Sequence, residues 1–207
     1  EVVMKKILII LFAAILLFPI KSFGFKTLPG KYELLGDINK AFGKDRVTIV
    51  EFFNFSCGHC YKFLTYSKNL ELKYGNKLAY VKIPIFWGRQ TQFPAIAFYL
   101  AQSKGMAEEV TKNIFDANFE GGAQIFDPRV VNFIISESGI AEDVRNQNNL
   151  IPKVRQGMAL ASKYKASETP TIIINDVIKV TPRIAGGDVE KMTENLDLII
   201  SKLLSNK

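Results

Sequence analysis

Both cysteines and the only histidine of the chain fall within four residues, Cys57-Gly58-His59-Cys60. A bond between two thiols so close in sequence closes a very small loop, which adds little chain-entropy stabilisation. Stapling the fold therefore explains the pair poorly. The spacing suits a disulfide that is made and broken in use, with a thiolate as the attacking species. A structural zinc site wants four ligands, and beyond Cys57, His59 and Cys60 there is no further Cys or His to complete one. Haem attachment would need histidine directly after the second cysteine, where this chain has Tyr61. An inert pair of core cysteines is the remaining alternative.

The motif lies where a strand hands over to a helix. Upstream, "RVTIVEFFNF" is β-branched and aromatic and nearly apolar on both faces, as a central strand should be. Downstream, "YKFLTYSKNLELKY" carries Phe63, Leu64, Leu70 and Leu72 on a helix that runs to Gly75, and "KLAYVKIPIFW" reads as the next strand. Strand, motif, helix and strand make one βαβ unit with a right-handed crossover. At such a helix N-terminus the unpaired N–H groups and the helix dipole favour an anion, and Cys57 lies nearest to them. Cys60 sits one turn further in. Phe53, Phe55 and Phe63 read as core aromatics, while Phe86 and Trp87 suit either core packing or a substrate groove.

From about Phe93 to Tyr164 the pattern turns helical, with Pro94 opening one helix and Asp127-Pro128 capping another. Strands return in "TPTIIIN" and "VIKVT", joined by a tight turn at Asn175-Asp176. Asp188 then caps a last helix bearing Val189, Met192, Leu196, Ile199, Ile200 and Leu203 at helical spacing. The segment from Lys26 to Asp45 reads as a polar entry without a strand. The order is βαβ, a helical block, then ββα, an α/β architecture.

With 48% apolar and 12% aromatic residues, the chain can build a full core. At its start, Met4-Lys5-Lys6 precedes an uncharged apolar run from Ile7 to Ile20, with small residues at Ser22 and Gly24. That is the pattern of a cleaved export signal over residues 1–24, and the run is short for a membrane span. No cysteine follows it, so a lipoprotein anchor is not expected. The net charge is +7; removing three lysines and one glutamate with residues 1–24 leaves +5. No dense Lys/Arg run interleaved with aromatics appears, so nucleic-acid binding is not expected. Export would place the thiols where disulfides persist.

The stretch "VEFFNFSCGHCYKF", the helical insertion and the later "TP" before a strand together resemble the DsbA family, the thioredoxin-fold disulfide oxidoreductases of the bacterial periplasm. The likeness covers essentially the whole chain after residue 24. It implies a thioredoxin-like domain in two parts, 25–91 and 166–207, around an inserted helical domain, 92–165. It further implies Cys57 as nucleophile, Cys60 as resolving cysteine, Gly58 and His59 as the redox-tuning pair, and Glu51 as a buried acid that assists proton movement at the inner cysteine. A charge inside an apolar strand is costly unless it has a purpose or a partner, and Lys82 on the next strand is a candidate partner. Thr169-Pro170 resembles the loop whose cis-proline faces the disulfide, leaving the Thr169 backbone to pair with an extended substrate.

By that resemblance the chain would be a periplasmic, monomeric oxidase. It would donate the Cys57–Cys60 disulfide to reduced exported proteins without metal or organic cofactor, and a DsbB-like quinone-linked membrane oxidase would restore it. Gly58-His59 is similar to the dipeptide of eukaryotic protein disulfide isomerases, and threonine before the proline to the bacterial isomerases. An isomerase or reductase kept in the dithiol state is therefore one alternative, and a peptide-binding chaperone with incidental cysteines is another. The isomerases carry an N-terminal dimerisation domain, for which the residues between Gly24 and the first core strand are too few.

Overall fold

The computed structural model describes residues 27–205, so the export segment expected at 1–24 lies outside the described residues. Five strands form one sheet: β1 (Glu33–Leu34), β2 (Val47–Phe53), β3 (Leu78–Pro84), β4 (Thr171–Ile174) and β5 (Ile178–Val180), in spatial order β1-β5-β4-β2-β3. Only β2 and β3 run parallel; the other neighbours are antiparallel. β2 is thus an interior strand buried along almost its whole length, which is why it reads as a nearly continuous apolar run with Glu51 inside it.

The helix α1 (Gly58–Tyr74) joins β2 to β3 and stops at Gly75, whose positive φ of 51° a residue with a side chain adopts reluctantly. Between β3 and β4 lie α2 (Phe93–Ser103), α3 (Ala107–Phe119), α4 (Pro128–Glu137) and α5 (Ile151–Lys163). Asp127 caps α4 through the Arg129 N–H, with Pro128 opening the first turn. After β5 come a single turn, α6 (Pro182–Ala185), and the closing helix α7 (Val189–Ser205). Asp188 accepts from the Lys191 N–H at 2.7 Å and so caps α7.

Three apolar clusters hold these layers together. Ile49, Ile172, Ile174, Ile178 and Val180 on one sheet face meet Phe63 and Leu70 of α1 and the α7 stripe from Val189 to Leu203. On the other face, Val50, Phe52 and Ile173 meet Ala161 of α5 and Tyr164 just beyond it. Phe53, Phe55 and Cys60 belong to the third cluster, within α2, α3 and α4. The helical block therefore packs directly against the end of β2 and the start of α1, where the thiols lie. Leu72, placed on the α1 stripe by its spacing, is instead 73% exposed.

The entry segment departs from expectation. It contributes β1, paired with β5, whose Lys179 bonds Glu33 at 2.8 Å. The β4–β5 turn carries Asn175 and Asp176 at φ of 48° and 67°, the conformation that a tight hairpin demands. Asn175 does more than turn the chain. Its amide accepts from the Thr48 N–H at 2.8 Å and donates to the Ala41 carbonyl at 2.7 Å, tying the hairpin to β2 and the entry segment. We predict that Asn175→Ala, which orphans these buried partners, lowers unfolding stability by about 2–3 kcal/mol in urea titration.

Candidate active site

β2 ends at Phe53, and the chain turns through Asn54, Phe55 and Ser56 to Cys57, the N-cap of α1. The Cys57 N–H donates to the Asn54 carbonyl at 3.0 Å, and the Tyr61 N–H to the Cys57 carbonyl at 3.1 Å, so both sides of the turn are fixed. A capping residue uses its side chain to satisfy an orphan N–H of the first turn. Here the capping atom is sulfur: Cys57 Sγ accepts from the Cys60 N–H at 3.2 Å. The cysteines are unbonded, so this is the dithiol form. Cys57 is half-buried and Cys60 is 1% exposed.

The two thiols are strongly unequal. The Cys57 pKa is pushed down to about 6, first by the hydrogen bond from the Cys60 thiol, then by the Thr169 side chain, the Cys60 N–H and the charge of His59, against the effect of partial burial. Cys60 moves the opposite way, well above the ordinary thiol range, because burial penalises its charged form and the Cys57 sulfur lies beside it.

The Thr169–Pro170 peptide bond is cis. β4 pairs beside β2 with Thr171 opposite Phe52, so the loop entering β4 lies alongside the segment leaving β2. That juxtaposition brings the Thr169 carbonyl to 3.1 Å from Cys57 Sγ, where it accepts the S–H proton. A Glu168–Arg183 ion pair at 2.9 Å flanks the loop, and the Thr171 hydroxyl donates to the Glu168 carbonyl at 2.6 Å.

Glu51 is 3% exposed. Its pKa is raised to about 7, chiefly by burial, against the pull of the Lys82 charge and a hydrogen bond from Tyr80. Lys82 is its neighbour in the β2–β3 register, yet the Lys82 ammonium pairs with Glu71 of α1 at 3.4 Å. The contact partner of Glu51 is Tyr80, whose phenol donates at 3.0 Å; Lys82 acts only at longer range. Tyr80 was legible as the residue two positions before Lys82, hence on the same strand face.

His59 and Gly58 are exposed. A Cβ on Gly58 would sit 3.8 Å from the Phe119 ring, an ordinary contact, so space does not force glycine there. Phe119 is 40% exposed and stacks on Tyr61, with ring centroids 5.2 Å apart. The single Tyr61 O–H proton is shared between Asp116 at 2.8 Å and Glu120. Phe53, Phe55 and Phe63 are core residues; Trp87 is 43% exposed and Phe86 packs partly against the helical cluster. Among the described residues no three Asp, Glu, His or Cys side chains could hold a metal ion.

Residues 48–196, more than half of the chain, match the DSBA-like thioredoxin domain family. The chain belongs to that family. It is 22% identical to the thiol:disulfide interchange protein DsbA of Burkholderia cepacia, over 78% of each chain. With that of Pseudomonas syringae pv. tomato it shares 25% identity, over 76% of this chain and 75% of the relative. The crystal structure of Pseudomonas aeruginosa DsbA superposes with a TM-score of 0.72 at 20% identity, covering 86% of this chain and 94% of that one. DsbA from Xylella fastidiosa superposes at 0.69 and 22% identity, covering 85% and 98%. The protein is thus a disulfide oxidoreductase with a DsbA-like thioredoxin fold.

Glu51 makes a pH-dependent prediction. Its folded pKa lies above the ordinary 4.5, so the protonated form is the better tolerated one. Its contribution to stability is fully present below about pH 4.5 and is lost as pH rises through about 7. Glu51→Gln should leave stability near pH 4 almost unchanged and raise it at pH 8 by about 2–3 kcal/mol, read from urea midpoints at the two pH values.

Proposed function

We propose that this DsbA-family protein is an exported, periplasmic oxidase that passes its Cys57–Cys60 disulfide to reduced exported proteins. The observation that carries this reading is the inequality of the two thiols: the Cys57 sulfur has donors that favour its thiolate, and Cys60 has burial that forbids one. A thiolate stabilised in the dithiol form makes the dithiol the favoured state, and the disulfide correspondingly ready to give up its oxidation.

In this reading a client thiolate attacks Cys57 Sγ. A client–Cys57 disulfide forms as the Cys57–Cys60 bond breaks, and the electron pair goes to Cys60 sulfur. That sulfur, poorly stable as an anion, takes a proton, and Glu51, protonated up to about pH 7, is the acid beneath it. A second client thiolate then attacks the client sulfur of the mixed disulfide and expels Cys57 as a thiolate. The client loses two electrons and the protein gains them; of the two client protons, one restores the proton that Glu51 gave to Cys60 and the other passes to solvent.

Thr169 and Pro170 form the client-binding loop. While Cys57 is a thiol, its S–H occupies the Thr169 carbonyl; in the thiolate or the disulfide that proton is gone, and the carbonyl is available to a client backbone N–H in the manner of strand addition. Gly58 and His59 tune the couple, with the positive charge of His59 favouring the thiolate. Export through a cleaved segment at residues 1–24 and action as a monomer complete the reading. No helix among the described residues is long and apolar enough to cross a membrane. By resemblance to the DsbA family, re-oxidation falls to a separate DsbB-like quinone-linked membrane enzyme.

Cys60→Ala tests the assignment. With its Cys57 first converted by 5,5′-dithiobis(2-nitrobenzoate) to the thionitrobenzoate mixed disulfide, the variant should be attacked at Cys57 by a client thiolate that expels thionitrobenzoate, leaving a dithiothreitol-sensitive client–Cys57 adduct on a non-reducing gel. Cys57→Ala should trap none and should lose oxidative refolding activity. Adducts that form equally through Cys60, or refolding that survives Cys57→Ala, would overturn it.

A further inference from the structure

The turn that presents Cys57 is joined to a second loop by a closed ring of side-chain hydrogen bonds. Asn54 is 1% exposed and uses every bonding position of its amide. Its Nδ2 donates to the Ile85 carbonyl at 2.9 Å and to Gln90 Oε1 at 2.7 Å. Its Oδ1 accepts from the Ser56 N–H at 2.8 Å and the Ser56 hydroxyl at 2.7 Å. Gln90 closes the ring by donating from Nε2 to Ser56 Oγ at 2.7 Å. The Asn54 main chain meanwhile serves the turn directly: its carbonyl accepts the Cys57 N–H at 3.0 Å, and its backbone favours the Cys60 anion against the effect of burial.

Gln90 belongs to residues 85–92, the loop that leaves β3. Its Oε1 also accepts from the Trp87 N–H at 3.2 Å, its own N–H donates to the Trp87 carbonyl at 3.2 Å, and Gly88 at φ 65° makes that turn. The exposed indole and the Ser56–Cys57 turn are therefore parts of one hydrogen-bonded unit, and Gln90 is the only member of the ring outside the turn. The Asn54 bond to the Ile85 carbonyl alone would anchor the loop to the turn. The bond to Ser56, next to the reactive residue, goes beyond that.

We propose that Gln90 is a positioning residue for thiol–disulfide exchange: through Asn54 and Ser56 it locks the 85–92 loop to the turn presenting Cys57 and so holds the Cys57 sulfur on the Cys60 N–H. The inference rests on the reading of Cys57 as the reactive thiol. Without Gln90, Asn54 loses one acceptor and Ser56 one donor, and the turn gains freedom to swing the sulfur off the helix N-terminus. Hydrogen bonds to a charged group weaken steeply with misalignment, so the thiolate loses most.

Gln90→Met keeps the length and removes the polar atoms; Ser56→Ala cuts the same link from the other side. Thiolate absorbance against pH, and alkylation rate at pH 5, are read on reduced protein of all variants, with melting temperature alongside. Each single variant should raise the titration midpoint by about 0.5 pH unit and slow alkylation at pH 5 about threefold. The double variant should go little further than the larger single, because one link is being cut twice. Midpoints and alkylation rates equal to those of the unsubstituted protein, even with a lowered melting temperature, would overturn the positioning role and leave the assignment of Cys57 standing. No thiolate titrating near pH 6 in the unsubstituted protein would overturn that assignment, and this inference with it.

Discussion

The structure depends on one sulfur standing in for an oxygen at a helix cap. A capping serine would satisfy the orphan N–H of α1 equally well; cysteine makes the satisfied group an acid whose anion the cap prefers. Every other feature of the site serves that contact or exploits it. The Cys60 N–H reaches Cys57 Sγ at 3.2 Å only because the chain turns sharply after β2, and the turn is fixed because Asn54 is satisfied on both its main chain and its side chain.

The same geometry separates the fates of two chemically identical thiols. One helical turn moves Cys60 from the half-exposed rim into the apolar cluster of Phe53, Phe55 and the helical block. There burial outweighs the favourable hydrogen bond from Asn54. The same burial raises the Glu51 pKa to about 7, so both groups are held toward their protonated forms. Burial, which alone would make a charged residue in β2 a liability, tunes it. The position of β2 between β4 and β3 sets all of this at once, because its neighbours deliver the cis-proline loop on one side and Tyr80 on the other.

Much of this was legible in the sequence, and what was hidden has a common cause. β2 announced itself because a strand buried on both faces reads as a nearly continuous apolar run, and the α7 stripe because its buried positions recur at helical spacing. The Cys57–Cys60 pair needed only its spacing and its place after a strand. β1 escaped because two residues carry no periodicity; it exists through its partner β5. Lys82 acts on Glu51 through its charge, as its register position suggests, but its ammonium reaches outward to Glu71 on α1, a contact between elements that strand register does not show, and the hydrogen bond to Glu51 comes from Tyr80. Asn54, Ser56 and Gln90 were silent for the same reason: polar residues in loops declare nothing until the fold brings their amides together. Thr169-Pro170 stood out only through resemblance to a family, since a proline before a strand has many ordinary explanations.

If favouring the Cys57 thiolate makes the Cys57–Cys60 disulfide a donor, this claim shows in the reduction potential of the pair, measured by equilibrating the purified protein with glutathione buffers. A value at or above about −200 mV, well on the oxidising side of thioredoxin at about −270 mV, is the predicted result. A value below about −250 mV would contradict the claim, because a disulfide that stable could not be passed on to exported proteins and the dithiol would serve as a reductant.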